Sequence, residues 1–302
     1  MKTLWTVYVV LLAYAAYAQD SAVDCIAYWK SGETKVYSIA RETKTIGGAS
    51  KTSPFKFNYD AWISVIDSTP KGYTIKWEFH LPEAMTILHP GLADSLPVYN
   101  GMKMIFTITG VGSFIELLNW EEVRDTYFRM NRLSRPKITD SAEAAAIKVA
   151  ESLFNSKEQV ESSMIQEIQL FHMPFGYKFT TNEVSGETEI SNPFGGNPFP
   201  ALQSYKVTDI DRQKDEYSLA VNMQMDKVNA KGMIDSLLSK MNLKTDQEMQ
   251  AAREQYGSFD LRDHSEYRFI RSSGWIKRLY YQRTVVIARM TKTDAYTIWL
   301  KE

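Results

Sequence analysis

Four histidines, one cysteine and three close pairs of carboxylates are the side chains of this 302-residue chain that acid–base, nucleophilic or metal chemistry would draw on first. His80, His89, His172 and His264 are scattered. No His-Glu-x-x-His occurs, and no two histidines stand at i, i+4 on one helix face, which excludes a zincin at the level of motif. His80 and His89 could meet across a loop with Asp94. A zinc site would need a fourth ligand, and none is evident nearby, so no metal ligands are assigned. Glu121/Glu122 fall at a helix start, whereas Glu187/Glu189 and Asp209/Asp211 sit at i, i+2 on strands, each pair on one face, which is expected to be solvated.

The common enzyme fingerprints are missing. Gly110-Val111-Gly112 follows a strand, but Ile115 stands where a dinucleotide loop would carry its third glycine, and a hairpin turn explains the pair better. There is no Gly-x-Ser-x-Gly elbow and no Gly-x4-Gly-Lys-Ser/Thr loop. No catalytic residue and no cofactor is therefore assigned. A hydrolase whose carboxylates converge only in three dimensions stays open, because glycosidase carboxylates often come from distant positions.

Cys25 is the only cysteine, so no intrachain disulfide can form, and a buried or unpaired thiol is expected. Asp24 precedes it where a lipoprotein signal would place a small apolar residue, so lipidation is not expected. Lys2, the apolar residues 4–13 and Ala16-Tyr17-Ala18 have the layout of a secretory signal peptide. Cleavage is expected after Ala18. The apolar stretch is shorter than the roughly 20 residues a spanning helix needs. With no Asn-x-Ser/Thr sequon either, the expected location is periplasmic or secreted from a bacterium.

Lys+Arg number 35 against 36 Asp+Glu, for a formal charge of −1, which argues against a nucleic-acid partner that depends on a positive field. Aromatics make up 13% of the chain, as 17 Tyr, 14 Phe and 7 Trp. Rings in such number suit strands and apolar concavities. Trp62, Trp77, Trp120, Trp275 and Trp299 could line a ligand pocket or simply fill a core. Met223, Met225, Met233, Met241 and Met249 could do either.

These side chains must be carried by strands with helices between them. Residues 34–45, 55–67, 73–80, 102–109 and 113–118 read as strands, with Phe55, Phe57 and Tyr59 alternating with polar residues. Asn119 is placed to cap a helix ended by Pro136, Asp140 to cap a second over 141–154, and Ser156 with Gln159 forms a capping box for a third reaching about Phe171. Residues 192–200, with three prolines and two glycines, read as a surface loop with aromatic knobs or as an ordered plug. Residues 204–211 and 217–226 form a hairpin, and 227–241 and 247–256 are helices. Residues 259–271, 275–290 and 296–301 are the last three strands, joined by turns at 272–274 and 291–294. The class expected is α+β: a long antiparallel, strongly curved sheet or half-barrel, in a single domain over 19–302, with helical insertions at about 119–171 and 227–256.

Here a resemblance enters. The segment Tyr267-Arg268-Phe269-Ile270-Arg271-Ser272-Ser273-Gly274-Trp275-Ile276 is similar to the terminal hairpin of the periplasmic lipoprotein-carrier superfamily. Residues 112–120, Gly-Ser-Phe-Ile-Glu-Leu-Leu-Asn-Trp, resemble uncharacterised exported bacterial proteins of similar architecture. The resemblance implies a curved sheet whose concave face is closed by helices over an acyl-chain cavity. The expected function is then a non-enzymatic exported protein that binds or carries an apolar or lipid-like ligand in the bacterial envelope. A cell-envelope module that docks a protein partner is the alternative, and the hydrolase is the second.

Overall fold

The computed structural model describes residues 22–47, 54–82, 85, 93–133, 151–152, 154–192, 198–228, 245, 247, 250, 259–287 and 289–301. Thirteen strands and four helices are formed by the described residues. The first half holds β1 (Ala22–Asp24), β2 (Thr34–Ile46), β3 (Phe55–Thr69), β4 (Gly72–His80), α1 (Leu96–Tyr99), β5 (Lys103–Thr109) and β6 (Phe114–Leu117). Helices α2 (Trp120–Leu133), α3 (Lys157–Met164) and α4 (Gln166–His172) follow, then β7 (Lys178–Thr180) and β8 (Val184–Ile190). Strands β9 (Phe199–Asp211), β10 (Glu216–Met225), β11 (Asp260–Ile270), β12 (Ile276–Ile287) and β13 (Met290–Leu300) complete it.

Eleven strands make one open sheet in the order β6-β5-β4-β3-β2-β13-β12-β11-β10-β9-β8, while β1 and β7 pair as a separate ribbon. Every pairing is antiparallel. All sheet neighbours but one are consecutive in sequence. The exception is the centre, where the last strand lies on the first long one, from Thr291 opposite Ile46 to Leu300 opposite Tyr37. No parallel βαβ crossover is needed, so the α+β, antiparallel class is the observed one. Strands β6 and β8 are the two edges. The chain between them must therefore travel the full width of the sheet, about 48 Å at the usual spacing of ~4.8 Å per strand.

That crossing covers one face. Alternation points Tyr37 and Ile39, Tyr59, Ala61 and Ile63, Ile75, Trp77 and Phe79, and Tyr267 and Phe269 to the same side, all buried. Val160, Ile165, Ile168 and Phe171 press onto it from α3 and α4. The ring of Trp29 stacks on Trp275 with centroids 4.1 Å apart and planes at 12°. His172 and Phe175 meet Trp29 edge-on. A second, smaller core lies toward the β8 edge and gathers Phe199, Met225, Phe259, Leu261 and Val285.

Several sequence expectations change. The helix expected from 156 to about 171 starts with its capping box, Gln159 N–H to Ser156 and Ser156 N–H to the Gln159 side chain, but it breaks at Ile165 into α3 and α4. Met164, Ile165, Ile168 and Phe171 are buried on both sides of that break. The polar run 291–294 is no link: its β-branched threonines belong to β13, and Asp294 accepts a hydrogen bond from Thr43 on β2 at 2.5 Å. Phe199 is no surface knob but a buried core residue opening β9. Asn119 gives its side-chain oxygen to the Ile105 amide of β5 at 2.8 Å, tying helix to sheet. The β1–β7 ribbon was not expected, three residues being too short a pattern to read. The signal-peptide residues 1–18, the helix 141–150, most of the loop 193–197 and nearly all of the helices at 227–241 and 247–256 lie outside the described residues.

The hairpin turn at Gly110-Val111-Gly112 is as expected, with Gly112 N–H bonded to Thr109. Gly112 has φ +106°, and a Cβ there would lie 2.7 Å from the Phe175 ring and 2.8 Å from the Ala27 Cβ. Gly112→Ala is expected to destabilise the protein by about 2–4 kcal/mol through left-handed strain and overpacking; urea unfolding monitored by tryptophan fluorescence measures it.

Candidate functional site

The residues named from sequence as chemically able do not converge. His80, at the end of β4, lies against Trp62 with ring centroids 4.5 Å apart and its Nε2 3.7 Å from Glu78. Asp94 is exposed, and His89 lies outside the described residues. His264 is on the open face, its Nδ1 2.7 Å from the Asn222 side-chain oxygen. Among the described residues no three His, Cys, Asp or Glu side chains gather as metal ligands would. Glu121 and Glu122 open α2. Glu187, Glu189 and Asp209 are exposed, with Asp211 half-buried at the end of β9. Cys25 is a free, buried thiol beside Tyr217, and burial pushes it up to about 12, so it is an inert filler of the core.

The tryptophans divide between core and surface. Trp77 and Trp275 are buried, Trp62 and Trp299 are exposed on the open face, and Trp120 is half-buried beneath the Arg124 guanidinium at 5.2 Å. Met225 is in the second core and Met223 packs against it; Met233, Met241 and Met249 lie outside the described residues.

What the fold does assemble is a cavity of about 310 Å³ between the sheet and the helices, lined by residues of β2, β3, β13 and α1–α4. Alternation along β3 sends Phe55, Phe57 and Tyr59 toward it, grading from exposed to buried. In register with Phe57, Arg41 of β2 stands between that strand and β13, opposite Tyr296. Its guanidinium carbon sits 5.1 Å from the centroid of the Tyr296 ring. Helix α1 supplies Leu96 and Tyr99; α2 supplies Tyr127, Met130 and Asn131, which share a face at i, i+3 and i+4. Arg41, Phe55, Asn131 and Ser163 are exposed and mark the mouth, whereas Tyr59, Tyr99, Tyr296 and Glu167 are buried and form the floor.

The helix break at Ile165 builds the polar part of that floor. It frees the Met164 carbonyl, which accepts from the Tyr127 hydroxyl at 3.1 Å, and it points Glu167 from the first turn of α4 into the cavity. The Glu167 carboxylate accepts from the Tyr59 hydroxyl at 3.0 Å. Burial pushes the Glu167 carboxyl above its ordinary range; its own backbone amide, the Tyr59 hydroxyl and the Arg41 charge oppose this without cancelling it. Burial likewise holds Tyr59, Tyr99, Tyr127 and Tyr296 well above the usual phenol range, so all four stay neutral. Tyr59 and Tyr99 meet at 84° with centroids 5.9 Å apart, and Phe57 and Tyr99 at 83° and 5.5 Å, like the walls of a box. None of these residues was singled out from the sequence for a site. The alternation of Phe55, Phe57 and Tyr59 was visible there, but which elements would face it was not.

A depression of about 370 Å³ opens on the other face of the sheet, where Arg268 and Arg278 stand in register among Asp209, Glu266 and Tyr280. It mixes both signs of charge on solvated strands. The helix-covered cavity is the better candidate, because its polar groups are desolvated and convergent. No family model matches the chain, and no curated protein matches it.

His172 is structural. Nδ1 donates to the Gly112 carbonyl at 2.8 Å, since a carbonyl can only accept, and Nε2 is buried with no partner among the described residues. Burial lowers the imidazole to about 4, the bond to Gly112 offsetting part of this. The folded protein thus refuses a proton that the unfolded chain takes up below about 6.5. Relative to His172→Gln, the wild-type protein is expected to lose on the order of 3 kcal/mol of stability as pH falls from 6.5 to 4, and nothing above 6.5; urea midpoints at a series of pH values check it.

Proposed function

We propose that this is an exported, non-enzymatic binding protein, in which the sheet forms a trough roofed by helices and a small apolar or amphipathic molecule is held between them. The reading rests on one observation: a hollow of about 310 Å³, open at its mouth, lies between the strands and α1–α4 beside the aromatic core. That volume is at the lower end of the ~300–1,000 Å³ usual for small-molecule sites. It suits one compact ligand or the end of a longer one, rather than the several acyl chains of a lipoprotein.

The lining supports binding over turnover. Phe55, Phe57, Leu96, Met130 and Met164 give apolar surface, and Glu167 is the single carboxyl among the described lining residues. General acid–base hydrolysis works with a second carboxylate or an imidazole within reach of the reacting atoms, and the lining offers neither. Periplasmic or secreted location, the resemblance to lipoprotein carriers and the signal peptide belong to this proposal. No described helix is long and apolar enough to cross a bilayer.

Met130, on the half-exposed rim, is the place to close the cavity without disturbing the core. The neutral dye N-phenyl-1-naphthylamine is expected to gain fluorescence on binding the wild-type protein. Met130→Trp should weaken that binding at least tenfold while the urea midpoint stays put. A dye response indifferent to this substitution contradicts the proposal, as does native mass spectrometry in which no small molecule binds.

A further inference from the structure

The proposed site has an end whose chemistry is more particular than an apolar pocket requires. Glu167 is 93% buried by its 7% exposure, and among the described residues no Lys, Arg or His nitrogen stands within 4 Å of it; Tyr59 is its hydrogen-bond partner. A buried carboxyl in that position either holds a proton or waits for a cation. Around it stand the rings of Tyr59, Tyr99 and Tyr127, with Phe57 closing a corner, and an aromatic ring carries the negative side of its quadrupole on its face. The fourth tyrosine already shows what these rings accept, for Tyr296 lies beneath the Arg41 guanidinium. Arg41 itself is exposed at the mouth, where water screens its repulsion of a charge deeper in.

We propose that the floor of the cavity takes an alkylammonium group, of the quaternary type, with its charge against the Glu167 carboxylate and its methyl groups against the rings of Tyr59, Tyr99 and Tyr127. This rests on the binding reading above and names the ligand class for the same cavity. An ammonium bearing methyls cannot donate hydrogen bonds, and the floor offers it none to miss: the hydroxyls of Tyr59 and Tyr127 are already committed to Glu167 and the Met164 carbonyl. Rings at right angles are the arrangement that surrounds such a cation on several sides at once. A metal ion would want several ionisable ligands together, and among the described residues no three His, Cys, Asp or Glu side chains gather.

Proton linkage gives a second handle. The groups facing Glu167 are Arg41 from β2, Tyr59 from β3, Tyr99 from α1, Tyr127 from α2 and Tyr296 from β13, and Asp294 of β13 acts on Arg41. The tyrosines stay neutral, so Glu167 is the group that titrates. A bound cation favours its ionised form, so binding releases a proton, and affinity rises with pH until the carboxyl of the free protein is fully ionised.

The test is calorimetric titration with choline and with its neutral isostere 3,3-dimethylbutan-1-ol, on wild type and on Glu167→Gln, which keeps an acceptor for Tyr59. Choline is expected to bind at least tenfold more tightly than the alcohol. Glu167→Gln should remove that preference and leave the alcohol unchanged, and wild-type affinity for choline should climb as pH rises. Tyr99→Leu, which flattens a ring wall without touching the carboxyl, should also weaken choline more than the alcohol. Equal affinities for the two probes, or a choline preference that survives Glu167→Gln, overturn the inference while dye binding leaves the cavity reading standing. If choline, alcohol and dye all fail to bind, both fall together.

Discussion

The two edges of the sheet, β6 and β8, are adjacent in sequence apart from one long connection, and that connection has to cross the whole sheet. Nothing else in the molecule is so constraining. An antiparallel sheet with one apolar face needs a cover, and here the cover and the crossover are the same stretch of chain. Helix α4 runs over the middle of the sheet, and its backbone and side-chain polar groups face strands rather than water. Only long side chains rising from the sheet can meet them. Tyrosines do this: Tyr267 donates to the Leu170 carbonyl at 2.9 Å, and Tyr59 donates to Glu167. Tyr59 and Tyr267 thus serve as posts between layers as much as filling.

Two ionisable groups of α4 are buried by this arrangement, and they pull in opposite directions on the pH axis. His172 makes the docked helix unfavourable in acid, where its neutral form must compete with a protonated unfolded chain. Glu167, with its folded carboxyl raised, favours the docked helix fully in acid and contributes progressively less as the pH rises through its folded value. The two linkages therefore oppose one another as the pH changes. Farther along the sheet a different solution appears: buried Asp263 and half-buried Arg283 are joined by two hydrogen bonds of 2.7 and 2.5 Å, with Arg283 also donating to Ser191. A full ion pair satisfies itself, whereas a lone carboxyl does not, which is why the chemistry of interest lies at Glu167 and not at Asp263.

Much of the sheet was legible. Alternation in residues 55–67 and in Tyr296, Ile298 and Leu300, the turn at 70–71, and the hairpins around 212–215 and 271–274 all follow from local rules that the fold obeys. The capping box at Ser156 was legible for the same reason. Strand register at the centre was not, since β2 and β13 are joined by no turn and lie at opposite ends of the chain. Nor was the bulge in β9 between Ser218 and Leu219 of its partner, which lets Val207 and Ile210 both face inward and upsets a simple two-residue period. The site was hidden for a related reason. Arg41, Phe57, Tyr99, Tyr127, Glu167 and Tyr296 carry no shared spacing; a helix break at Ile165 and a terminal strand bring them together.

The cavity is then a consequence of how the cover is attached. Closing it would require α2 and α4 to settle onto Phe57 and Tyr99, and flat rings meeting near a right angle leave a corner that no small slide removes. Settling would also pull Tyr127 off the Met164 carbonyl and Tyr59 off Glu167. Each buried polar group left unpaired costs about 1–3 kcal/mol, against about 0.8 kcal/mol for each methylene that collapse would bury. Two broken bonds outweigh several methylenes, so the same tyrosine posts that fasten the helices to the sheet also keep them from resting flush on it, and the hollow remains available to a guest.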